Sequence, residues 1–129
     1  MMEPKVREMI VCEDVTTRKG SSGKIDILGL INKAIAPIFP INLSFCVYLC
    51  LANGRGSGQG RIVVAEAESE EAVYLGDFHS FDFGPNPLSL RGFTIRIPSC
   101  ELPGPGLYLV RFVYNEVVLE ERVLLAEKR

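Results

Sequence analysis

The 129-residue sequence has a single histidine, His79, no Cys-x-x-Cys pair, no excess of charge of either sign and no stretch with helical periodicity. Each lack removes a class of function. Of the four cysteines, at positions 12, 46, 50 and 100, none has a histidine spaced for zinc, and a catalytic cysteine would have only His79 as its partner. Cys46 and Cys50 fall on one face of a strand but about 13 Å apart at strand rise, too far for a disulfide. The cysteines are therefore read as reduced, packed as small hydrophobes. A formal charge of -2 with both signs interspersed gives no footprint for nucleic acid or an anionic membrane, and neither partner is expected. No cofactor is expected either: no phosphate-cradle, calcium-loop or nucleophile-elbow signature is complete.

The amino terminus, M-M-E-P-K-V-R-E-M-I, carries both charges and no apolar run of seven, which is not a secretory signal; a cytoplasmic location is the expectation. Residues 34–54 hold no charge and are long enough to cross a bilayer as a helix. Pro37 and Pro40 interrupt them, and from Ile41 the series Ile41, Leu43, Phe45, Val47, Leu49, Leu51 alternates with Asn42, Ser44, Cys46, Tyr48, Cys50. A period of two is a strand.

What is present is β-branched and aromatic residues in short runs, punctuated by Gly, Pro, Asn and Ser about every ten residues. Strands are predicted at 7–14, 24–32, 41–52, 60–68, 72–79, 91–97, 106–114 and 117–126. The fold class that follows is all-β, an antiparallel β-sandwich of seven to eight strands, immunoglobulin-like or related, with residues 1–129 as one domain. The expected core is Ile25, Ile27, Leu43, Phe45, Val47, Leu49, Phe93, Ile95, Ile97, Tyr108, Val110 and Phe112. N-G-R-G-S-G-Q-G, 53–60, reads as a flexible link, and F-G-P-N-P-L, 83–88, with Pro85 and Pro87, as a loop. Gly29 marks a bulge or a close backbone approach, and Gly23-Lys24 opens a strand that brings Lys24 near Glu13 and Asp14.

C-E-D-V (12–15), a short polar loop, G-K-I-D-I-L-G-L (23–30) and F-P (39–40) together resemble the opening of a family of small bacterial β-sandwich domains of unknown function. G-L-Y-L-V-R-F-V-Y-N-E (106–116) resembles the closing hairpin of immunoglobulin-like sandwiches. The resemblance implies the sandwich fold and carries no chemistry.

Asp77 and His79, i and i+2 on a strand, with Asp82 close by, are the weak catalytic or metal candidates. An acid/base or metal site there would make the chain a small metal-dependent or hydrolytic enzyme centred on His79. The bland reading of the same residues is a solvated strand end. The preferred function is a non-enzymatic binding or scaffold module that self-associates through an apolar sheet face or an exposed edge, or takes an unidentified protein partner. Cys46, Tyr48 and Cys50 are the interface candidates, because no charged residue separates Lys33 from Arg55. Runs 62–65 and 123–126, apolar on both faces, reinforce that reading.

Overall fold

A computed structural model describes residues 3–20, 24–86, 88 and 90–129. Met1 and Met2, Ser21, Ser22 and Gly23 of the first loop, and Pro87 and Ser89 lie outside the described residues, and the expectations placed on Gly23 and Pro87 themselves are left there. Lys24 is described and is a correction: its carbonyl accepts the Arg18 N–H, and the β1–β2 register puts Leu28 opposite Asp14, so Lys24 stands beside Arg18 rather than near Glu13 and Asp14. The described residues contain no helix and form ten strands: β1 (Lys5–Thr17), β2 (Ile25–Leu30), β3 (Lys33–Ala36), β4 (Ile41–Ala52), β5 (Gly56–Glu66), β6 (Ala72–Leu75), β7 (His79–Gly84), β8 (Arg91–Leu102), β9 (Gly106–Tyr114) and β10 (Val117–Lys128). They make two packed sheets. One has the order β2-β1-β4-β8; the other runs β3-β10-β9-β5-β6, with β7 also paired to β5. Every pairing is antiparallel except β3 with β10.

β4 follows its alternation directly: Phe45, Val47, Leu49 and Leu51 face the other sheet and are buried. Ile95 and Ile97 of β8 continue that inner face, and Tyr108, Val110 and Phe112 of β9 with Ile62 and Val64 of β5 supply the opposing layer. Leu43 and Phe93 are half-buried against it. At one end the core is aromatic: Phe81 packs edge-on to Phe93, Phe112 and Tyr114 with centroids 4.7, 5.6 and 6.0 Å away.

Ile25 and Ile27 are not in this core. They pack with Cys12, Val15 and Cys46 in a second cluster on the outer face of the four-stranded sheet. β2 pairs only with residues 12–17 of β1, and its Ile25 and Ile27 lie on the same face as Cys12 and Cys46. Alternation gives the period of a strand but not which of its faces is inside.

Ten strands stand where seven to eight were expected. β3 is four residues long beside Pro37, and its partner is remote in sequence. The predicted strand at 72–79 ends at Leu75, where Gly76 donates its N–H to the Ile62 carbonyl, and β7 begins at His79. β7 shows a short alternation, with Phe81 and Phe83 buried, before Gly84 and Pro85 stop it. β8 runs to Leu102 because it carries an extra residue: Ile97 faces Phe45 and Cys100 faces Leu43, so three steps on β8 span two on β4. That bulge at Pro98 and Ser99 turns Cys100 into the core, where simple alternation would put it outside.

The glycine-rich stretch is also a correction. Residues 56–60 are strand, the first half of β5, paired to β7. A Cβ on Gly58 would collide with the Tyr114 ring, and one on Gly60 would sit 2.9 Å from Phe112. The glycines leave room for aromatic rings. Gly29 fulfils its expectation of close approach: at φ 65° it faces Glu13, whose side chain lies 2.6 Å from where a Cβ would stand.

Candidate functional site

Cys46, Tyr48 and Cys50 project from the outer face of β4, a central strand between β1 and β8. Their surroundings differ along the strand. Cys46 is 3% exposed, covered by Val15, Ile25, Ile27 and the Arg96 guanidinium. Tyr48 and Cys50 are half-buried and line a groove of about 580 Å³ with Lys24, Ile25, Leu90, Thr94 and Arg96. Burial, with nearby Cys50 and Glu8, pushes the Tyr48 phenol above its ordinary range. Among the described residues of the Pro85 segment, Leu90 lines this groove; Ile25 and Ile27 of β2 cover the Cys46 end.

Arg96 organises the end of this face. Its Nη1 donates to Asp14 Oδ1 at 2.6 Å and lies 3.2 Å from Cys46 Sγ, while Nη2 donates to the Val15 carbonyl at 3.1 Å. The Arg96 hydrogen bond holds the Asp14 carboxyl below the usual carboxylate range. Cys12, directly opposite Cys46 in the β1–β4 register, donates its thiol to the Cys46 carbonyl at 3.8 Å. Burial and the neighbouring Cys46 raise the Cys12 thiol.

His79 and Asp82 flank the outer edge of β5, opposite Gly60 and Ser57, and Asp77 precedes β7. All three are exposed. Asp82 Oδ1 accepts the Gly84 N–H at 3.0 Å, closing its own turn. None of them lines the grooves described here, and the described residues hold no cluster of three His, Cys, Asp or Glu placed for a metal. No helix among the described residues is long and apolar enough to cross a membrane.

The outer face of the six-stranded sheet carries a feature that only register reveals. Val123 of β10 lies opposite Leu109 of β9, which lies opposite Ala65 of β5. On one flank Leu125 pairs with Leu107, and on the other Val63 pairs with Leu75. The result is an apolar band across the sheet, exposed at its ends with Val123 51% and Leu75 61% exposed, half-buried at Val63, Leu109 and Leu125, and closed over at Ala65, 2% exposed. Beside it Arg111 is clamped between Glu70, 2.8 Å away, and Glu121, 3.1 Å away. The signal in the sequence was the pair of two-sided apolar runs; their juxtaposition needed the strand order.

The sheet edges are poor templates for addition. β3 and β6 are four residues each, β7 is six and stops at Gly84 and Pro85, β2 passes through a positive φ at Gly29, and β8 carries Pro98 at its bulge with Arg91 and Arg96 along it.

A family of unknown function, DUF6941, has a model that matches residues 8–126. No curated protein matches. Among solved structures the chain is similar to the X-ray structure of a candidate lipoprotein from Bacillus anthracis, at 15% identity and TM-score 0.43, covering 90% of this chain and 85% of that one.

Proposed function

We propose, starting from the fact that the chain belongs to the family of unknown function DUF6941, that it is a non-enzymatic scaffold module that self-associates through the outer face of its six-stranded sheet. The observation that carries this reading is the apolar band of Leu125, Leu107, Val123, Leu109, Ala65, Val63 and Leu75. A solvated antiparallel sheet face normally alternates polar residues into that position, and contiguous apolar surface of this kind marks a contact site. Face contact is favoured over edge contact because the edges are short, interrupted by a positive-φ glycine or guarded by proline and arginine.

A second copy is the natural occupant. Arg111 and its two glutamates place both signs of charge beside the band, so a two-fold related copy can offer a glutamate to the arginine and an arginine to the glutamate. Light scattering on the purified chain at micromolar concentration should give twice the protomer mass or more. Val123→Glu, which sets a charge at the exposed β10 end of the band, should return the mass to one protomer with an unchanged β-sheet circular dichroism spectrum. A one-protomer mass for the unmodified chain would rule out self-association.

A further inference from the structure

Independently of that surface, we propose that Cys12 and Cys46 are a reactive thiol pair that closes to a cross-strand disulfide when the protein meets a hydroperoxide. The two residues are direct partners in the antiparallel β1–β4 register and share the outer face of their sheet. Directly opposed residues in such a ladder have Cα atoms about 4.5 or 5.5 Å apart, and both spacings lie within the range that a disulfide bridges. No other cysteine offers this geometry. Cys50 faces Glu8 on β1 and Gly92 on β8, and Cys100 is turned into the core on the opposite side of the sheet.

The surroundings divide the labour between the two sulfurs. Arg96 Nη1, 3.2 Å from Cys46 Sγ, places a cationic donor where negative charge gathers as that sulfur attacks. A second groove, of about 430 Å³, has Cys46 in its lining beside Glu13, Ser44, Arg96 and Pro98, so the 3% of Cys46 left exposed lies at a solvent-facing concavity and a small hydroperoxide reaches the sulfur as the Arg96 side chain shifts. Cys12 is 0% exposed, and its thiol points toward β4, onto the Cys46 carbonyl. It is reached from its partner rather than from solvent, which suits the resolving role.

The chemistry balances with the hydroperoxide as oxidant. The Cys46 sulfur forms a bond to one peroxide oxygen as the O–O bond breaks, and the departing hydroxide (alkoxide from an organic hydroperoxide) takes the proton lost by the Cys46 thiol. The Cys12 sulfur then forms the S–S bond as the new S–O bond breaks, and that hydroxide leaves as water with the Cys12 proton. Two thiols are oxidised to one disulfide; one hydroperoxide is reduced to water, or to an alcohol, with one further water.

The test uses the full chain, reduced, desalted and treated with hydrogen peroxide, then denatured for thiol titration and peptide mapping without reductant. Thiols should fall from the four of the sequence to two, the mass should drop by two hydrogens, and one linked peptide pair should join Cys12 to Cys46. Dithiothreitol should restore all four. Cys12→Ser should leave a sulfenic acid at Cys46 that dimedone traps, and Arg96→Gln should slow thiol loss severalfold while Cys50→Ser leaves the rate unchanged. Where Cys12→Ser fails to fold, the map of the unmodified chain decides alone. Four thiols surviving a peroxide dose that fully oxidises free glutathione, a link through Cys50 or Cys100, a link between chains, or an Arg96→Gln rate equal to the unmodified one would each overturn the proposal.

Discussion

Arg122 on β10 donates its Nε–H to the main-chain carbonyl of Met9 on β1 at 3.0 Å, so the side chain of one sheet reaches the backbone of the other. It lies in the register position of Val110, an inward one, and escapes burial because it stands at the open side of the sandwich. Its stem covers apolar surface there while its head ties the sheets and pairs with Glu120 at 3.3 Å. Arg122→Met keeps the stem and removes the tie. A loss of about 1 kcal/mol is expected, the size of one partly solvated hydrogen bond. Urea denaturation with an unchanged midpoint would show that the tie contributes nothing.

Gly58→Ala should destabilise the chain by about 1–3 kcal/mol, the usual cost of forcing atoms into a filled core. The added methyl meets the Tyr114 ring, so near-ultraviolet circular dichroism from the tyrosines should change with the denaturation midpoint. A flexible link at this position would tolerate alanine without either effect.

Stability should fall on the alkaline side. Burial pushes the Cys100 thiol from 9.0 up to about 11 and raises the phenols of Tyr108 and Tyr114. In each case the folded state holds its proton longer than the unfolded chain, so the contribution is whole below the unfolded pKa and is lost as pH rises through the folded one. For Cys100 the loss runs between 9.0 and about 11 and is on the order of 3 kcal/mol at 1.36 per unit. Urea midpoints at about pH 8 and about pH 11 measure it, and Cys100→Ala should flatten the early part of the slope.

Tyr48→Glu and Val123→Glu should part company. Tyr48 lies in a groove covered in part by β2, whereas Val123 stands in the exposed band. On the self-association reading Tyr48→Glu leaves the assembly mass unchanged and Val123→Glu lowers it to one protomer. Sedimentation velocity on both variants checks the pair, and the reverse result would move the contact to the four-stranded sheet.

The central strands were legible because their alternation is long. Ile41 to Leu51 and Leu107 to Tyr114 repeat a period of two over enough residues to fix both boundaries, and β4 and β9 begin and end where expected. Legibility ended wherever a position depends on another strand. Cys100 is inside only because a bulge at Pro98 and Ser99 shifts its phase, and Ile25 faces outward only because β2 docks on the far side of β1. Gly56 to Gly60 read as a link because glycine has no side chain to alternate; the rings that need the space are on β7 and β9. The same holds for the sites. The opposition of Cys12 and Cys46 is a matter of register, invisible in a spacing of 34 residues. By contrast His79 attracted notice as the sole histidine, which says nothing of what surrounds it.

The parallel pairing of β3 with β10 sets an order on biosynthesis. Leu125 N–H bonds the Asn32 carbonyl and Arg129 N–H bonds the Ala36 carbonyl, so residues 32–36 wait until residues 125–129 are translated before their ladder can form. Until β10 emerges from the ribosome, β9 also lacks one of its neighbours and the inner face of the six-stranded sheet is incomplete. The nascent chain therefore carries an unfinished sheet over the roughly ninety residues that separate the paired positions of β3 and β10, a stage at which unpaired strands are prone to wrong partners and to chaperone capture.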